Sequence, residues 1–185
     1  MALTQVQGGM ILPSTTLTTP IVATTLGVGG ATPSTSGAGI TFPATASASS
    51  NANTLDDYEE GTWTPIYYGT STAGTTTYTN RGGTYTKIGS IVFVEGNIQW
   101  SSATGTGQGY IGGLPFTTTS NSPTDSKGFV AIAAWNGYSI TGTVFAIPSP
   151  SATNFELYAI NNGSLASSSV QGSGAIRFQY FYIAA

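Results

Sequence analysis

Four of the seven acidic residues fall within five positions: Asp56, Asp57, Glu59 and Glu60. Two chemistries use carboxylates in this way. A pair can act as acid and base across a glycosidic bond. A cluster can also supply the oxygen cage of a calcium ion. Adjacent acids on one loop do not straddle a substrate, and Glu95, Asp125 and Glu156 stand alone in the sequence. The cluster therefore reads as a charged turn, with Asp56, Asp57, Glu59 and Glu60 the only calcium candidates. Mutual repulsion there calls for Arg81, Lys87 or a cation nearby. Glu95 is placed to pair with Lys87 or Arg177 across a sheet.

The missing residue types exclude more. There is no His and no Cys. That removes the Ser-His-Asp triad, thiolate nucleophiles, disulfides and nearly every zinc or iron site. Gly105–Gly109 (GTGQG) and Gly27–Gly30 (GVGG) lack the lysine and the helix of a phosphate loop, and read as turns. The expectation is a protein with no catalytic residues, no cofactor and no resident metal. With four basic residues and a net charge of −3, nucleic acid is not an expected partner. No run approaches the ~20 apolar residues of a membrane span, and the start lacks a secretory signal.

The elements that must position these residues are strands. More than a quarter of the 185 residues are Ser or Thr, 25 are Gly, and only 6% are charged. This composition favours short strands joined by polar turns over helices. Residues 1–55 carry no charge and one aromatic, Phe42. Pro13, Pro20, Pro33 and Pro43 interrupt them. They are expected to form an extended N-terminal arm with no core of its own. Its apolar side chains would dock on a partner or intertwine with other copies: Met10, Ile11, Leu12, Leu17, Ile21, Val22, Leu26, Val28, Ile40 and Phe42.

Residues 56–185 hold all three Trp, all ten Tyr and seven of the eight Phe. They are expected to form an antiparallel β-sandwich head, jelly-roll-like, in an all-β protein. Trp63–Tyr68 reads as the first strand. Thr76–Asn80 and Thr84–Ile88 flank Arg81-Gly82-Gly83, a hairpin turn signal. In Ile91–Trp100, Val92, Val94, Ile98 and Trp100 alternate with Glu95, Asn97 and Gln99, and Gly96 marks a bulge or a close contact. Phe129–Trp135 and Tyr138–Ile147 flank Asn136-Gly137, the strongest hairpin signal. Asn154–Ile160 ends at the turn Asn161-Asn162-Gly163. Ala175–Ile183 lines one face with Ile176, Phe178, Tyr180 and Tyr182, for a core or a subunit interface. Most aromatics of a small sandwich are buried. Any left exposed among Tyr67, Tyr68, Tyr110, Trp135 and Tyr138 could stack on sugar rings.

Residues 36–65 read SGAGITFPATASASSNANTLDDYEEGTWTP. This stretch resembles a segment of tail fibres, tailspikes and other surface proteins of tailed bacteriophages, where LDDYEEGTWTP opens a C-terminal β-sandwich. The resemblance continues through Gly83–Gly89 (GTYTKIG), Val92–Gly96 and Ile111–Phe116 (IGGLPF). It covers about residues 36–116. It implies a homotrimer on the outer surface of the virion, made in the cytoplasm of the host bacterium. The sequence departs from full-length fibres in having no shaft repeats. A short arm leading straight into a head fits a capsid decoration (cement) protein that binds the major capsid protein through the arm. The alternative is a tail fibre or tailspike tip that recognises host surface polysaccharide.

Overall fold

A computed structural model of the chain describes residues 25–45, 49–51, 53–120, 131–136, 143–161, 164–167 and 169–185. The chain divides into two compact units, Met1–Pro43 and Ala44–Ala185. In the first, β1 (Thr25–Gly27) and β2 (Gly39–Thr41) pair in parallel. The Thr41 hydroxyl donates to Thr25 Oγ1 (2.9 Å) and the Thr25 hydroxyl to the Ser34 carbonyl (3.0 Å). Leu26 and Ile40 face each other in register and are 49% and 55% exposed. Val28 and Phe42 are half-buried. Met10, Ile11, Leu12, Leu17, Ile21 and Val22 lie outside the described residues.

The second unit contains β3 (Tyr58–Trp63), β4 (Ile66–Gly69), β5 (Thr76–Ile88), β6 (Ile91–Ala103), β7 (Gly109–Gly112), β8 (Ala131–Asn136), β9 (Thr143–Pro148), β10 (Asn154–Asn161), β11 (Ser164–Ser167) and β12 (Gly174–Ile183). They build two five-stranded antiparallel sheets, with no helix among the described residues. The first sheet runs β3-β5-β6-β12-β8. In the second, β4 pairs β7 and β7 pairs β10. Because β9 follows one edge of β10 along most of its length, β7 and β11 share the other.

The sheets face each other across one core, as in a β-sandwich. Val92, Val94, Ile98 and Trp100 point into it from β6, and Ile176, Phe178, Tyr180 and Tyr182 from β12. Tyr67, Ile111, Phe155 and Leu157 meet them from the second sheet. Phe155 lies edge-on to Phe178, 5.2 Å between centroids, and Tyr67 packs on Trp100 at 4.3 Å. The aromatic face of β12 therefore lies in the core. Gly96 makes the expected close contact: a Cβ there would strike the Phe178 ring.

Three sequence expectations are corrected. Trp63–Tyr68 is two strands, because Thr64 and the buried Pro65 carry the chain from the first sheet to the second. Proline lacks the N–H of a ladder, so it suits the point of transfer. Arg81-Gly82-Gly83 makes no turn; β5 continues through it, paired residue by residue with Ile98, Asn97 and Gly96. The turn falls at Gly89-Ser90, where Gly89 takes a φ of 57°. The described strands on either side of Asn136-Gly137 do not pair with each other: β8 pairs β12 in the first sheet and β9 pairs β10 in the second. Pairing with these partner strands outweighs the local turn preference.

Candidate functional site

On the solvent side of the second sheet, strand alternation collects a polar and aromatic surface. Along β10, Phe155, Leu157 and Ala159 are buried, leaving Asn154, Glu156 and Tyr158 on the outer face. Register sets Tyr68 of β4 opposite Tyr110 of β7, and Tyr110 opposite Glu156 of β10. Phe145 of β9 lies opposite Tyr158, and their rings stack at 5.8 Å. Tyr68 and Tyr110 meet edge to face at 5.7 Å. A Cβ at Gly112 would press on the Tyr68 ring, so the glycine leaves that ring its place over β7.

Glu156 is the centre of this surface. The Tyr158 hydroxyl donates to its Oε2 at 2.6 Å. The Ser149 hydroxyl lies 3.1 Å from Glu156 Oε1 and 2.5 Å from Asn154 Oδ1, and its single proton serves one of them at a time. Gln108 Nε2 donates to the Leu157 carbonyl at 3.0 Å. Tyr158 and Tyr110 respond to the carboxylate, Tyr68 to burial. Tyr158 is pushed above the usual phenol range, first by its hydrogen bond to Glu156 and then by burial. Tyr110 is raised first by burial, with the Glu156 charge adding to it. Tyr68 is raised by burial, against a hydrogen bond from Asn154. All three are neutral at physiological pH. Such a surface offers ring faces for the C–H side of a sugar and acceptor oxygens for its hydroxyls.

The residues singled out from the sequence separate. Tyr68 and Tyr110 are on this surface. Tyr67 is a core residue, 1% exposed, whose hydroxyl accepts the Gln171 N–H at 2.9 Å; alternation puts it on the opposite side from Tyr68. The side chains of Trp135 and Tyr138 lie outside the described residues. Glu156, Tyr158, Phe145, Ser149 and Asn154 were missed. The alternation of Asn154-Phe155-Glu156-Leu157-Tyr158 held the signal for three of them, but nothing local joined it to Tyr110.

The acids of the turn diverge. Asp57 is buried and forms an ion pair with Lys87. Glu59 accepts the Tyr85 hydroxyl at 2.5 Å, pushing Tyr85 up to about 12. Glu60 is exposed, and Asp56 accepts the Ser49 N–H at 2.6 Å. Among the described residues no three acids, His or Cys are grouped to hold a metal. Glu95 bonds neither Lys87 nor Arg177; it accepts the Thr84 hydroxyl at 2.9 Å. Lys87 pairs with the inward Val92, so it lies on the face opposite Glu95.

The outer face of the first sheet has two zones. At one end Tyr58, Ile88 and Ile91 share a row, with Phe93 and Phe181 paired beside it, all more than a third exposed. At the other a depression of about 420 Å³ is lined by Glu95, Asn97, Arg177 and Gln179 over glycines 82, 83 and 96.

No family model matches the chain, and no curated protein does. Among solved structures, the crystal structure of Dettilon tailspike protein (gp208) shares the fold, with a TM-score of 0.56 at 18% sequence identity. The alignment covers 68% of this chain and 24% of that one, so the chain matches about a quarter of the tailspike's length.

Proposed function

We propose that the chain is a non-enzymatic structural protein on the outer surface of a tailed-bacteriophage virion, and that its head recognises polysaccharide of the host cell. The observation that carries the recognition reading is the Glu156 surface, where Tyr110 and Tyr158 flank a single carboxylate and Tyr68 stands beside Tyr110. The fold shared with a tailspike over 68% of the chain and the LDDYEEGTWTP stretch support placement on a virion. Hydrolysis needs two carboxyl groups about 5–10 Å apart across the substrate. Among the described residues Glu156 is the one acid in the cluster, which supports binding over cleavage.

A homotrimer belongs to this reading. The exposed row of Tyr58, Ile88, Ile91, Phe93 and Phe181 supports self-association, since such patches mark interfaces. Three heads would multiply a weak single-site affinity through effective concentration. The test is a glycan array probed with the purified protein and with Tyr110→Ala and Tyr158→Ala. Wild type binds a defined set of glycans, and both variants lose it at unchanged unfolding midpoints. An array without hits, or variants that bind as wild type, would refute the recognition reading.

A second reading has its own observation. Leu26 and Ile40, paired and half exposed in the N-terminal unit, are apolar contacts available to a partner such as the major capsid protein. In that case the protein decorates and reinforces the capsid. Copy number per purified virion separates the two. Hundreds in a simple ratio to the capsid protein mean decoration; a few dozen or fewer mean the tail.

A further inference from the structure

The hydrogen bonds within the Glu156 surface have a direction, and that direction selects a ligand. The Tyr158 proton is committed to Glu156 Oε2. Tyr110 lies opposite Glu156 in register and feels its charge, and the Ser149 proton goes to Asn154 or Glu156. One amide donor is already engaged. Gln108 Nε2 serves the Leu157 carbonyl. What remains toward solvent is a set of acceptors: the spare lone pairs of the carboxylate and the oxygens of Tyr110 and Tyr158. A carboxylate has about four acceptor sites, so it can still take sugar hydroxyls. The Tyr68 hydroxyl is the donor left over at the edge. No lysine or arginine contacts this cluster among the described residues, and the chain as a whole carries a net charge of −3.

Resting on the glycan-recognition reading, we infer that the surface of Glu156, Tyr110, Tyr158 and Tyr68 takes neutral or amino sugars and rejects uronic, sialic and sulfated ones. Hydroxyl and ammonium groups donate to the acceptors on offer. An anionic group meets a like charge and finds few donors to pair with. The stacked Phe145–Tyr158 pair supplies the ring face beside them.

The experiment is the glycan array with neutral, amino-sugar and acidic glycans of matched size, read for wild type and Glu156→Gln. Hits are expected among neutral and amino-sugar glycans, with acidic counterparts at least ~10-fold weaker, a difference of about 1.4 kcal/mol. Glu156→Gln replaces charge by an amide of the same shape and narrows that ratio, mainly by improving acidic glycans. If glycans bind but the acidic ones bind equally or better, or if Glu156→Gln leaves the ratio unchanged, the inference is overturned while glycan recognition stands. If nothing binds, recognition itself fails and the inference falls with it.

Discussion

Trp63 and Phe178 meet edge to face, 5.9 Å between ring centroids, although two strands separate theirs. The row between them is Trp63–Gly83–Gly96–Phe178, one residue from each of β3, β5, β6 and β12. The two glycines leave the floor bare, and the rings close over it from both sides. The indole N–H donates to the Glu95 carbonyl at 3.0 Å, which fixes the tryptophan in that pose. A methyl group at Gly96 would run into the Phe178 ring, whereas one at Gly82 meets nothing within 4 Å. Gly96→Ala should destabilise by about 1–3 kcal/mol, as overpacking does, and Gly82→Ala by much less. Equal denaturation midpoints for the two variants would refute this account.

Tyr180 and Tyr182 are both 1% exposed and stack at 5.6 Å, yet their hydroxyls differ. Tyr182 donates to the Phe116 carbonyl at 3.1 Å and accepts the Phe116 N–H at 3.2 Å. The Tyr180 hydroxyl is buried without a partner among the described residues. Tyr182→Phe should cost about 1–2 kcal/mol, while Tyr180→Phe should be neutral or stabilise by about 1 kcal/mol. Thermal unfolding of the two variants checks the sign.

The ion pair of Asp57 and Lys87 has only 12% of each side chain exposed. Removing one partner leaves a buried charge uncompensated. Lys87→Met should therefore destabilise by about 3 kcal/mol. The double variant Asp57→Leu/Lys87→Met should recover most of that loss. A double variant no better than the single one would mean that the pair contributes more than mutual compensation.

Alkaline pH should unfold the head through its tyrosines. Tyr85 is pushed up to about 12 by its hydrogen bond to Glu59, and Tyr182 to about 12 by burial. A folded-state value above the unfolded one, near 10, means that the native state holds its proton longer. The stabilisation is complete below about pH 10 and is lost as pH rises towards 12. Phenolate absorbance and far-UV circular dichroism should change together in that window. Tyr85→Phe should remove part of the pH dependence; an unchanged profile would refute the assignment.

Much of the head is legible in the sequence because a strand's two faces alternate locally. Ile91–Trp100 and the final strand bury the side chains that alternation assigns. Composition alone carried the all-β class and the absence of helix among the described residues. The pairing of strands was not legible, since it depends on which partner buries each apolar side. Arg81-Gly82-Gly83 has the residues of a turn but is paired along its whole length with β6, and Gly83 with β3 as well. The candidate site shows the same division. Tyr67 and Tyr68 are adjacent and chemically identical, and period two requires only that they point apart. Transfer of the chain at Thr64-Pro65 into the second sheet sends Tyr67 to the core and Tyr68 to the surface beside Tyr110. Glu156, isolated in the sequence, becomes the centre of that surface because strand pairing joins residues far apart along the chain.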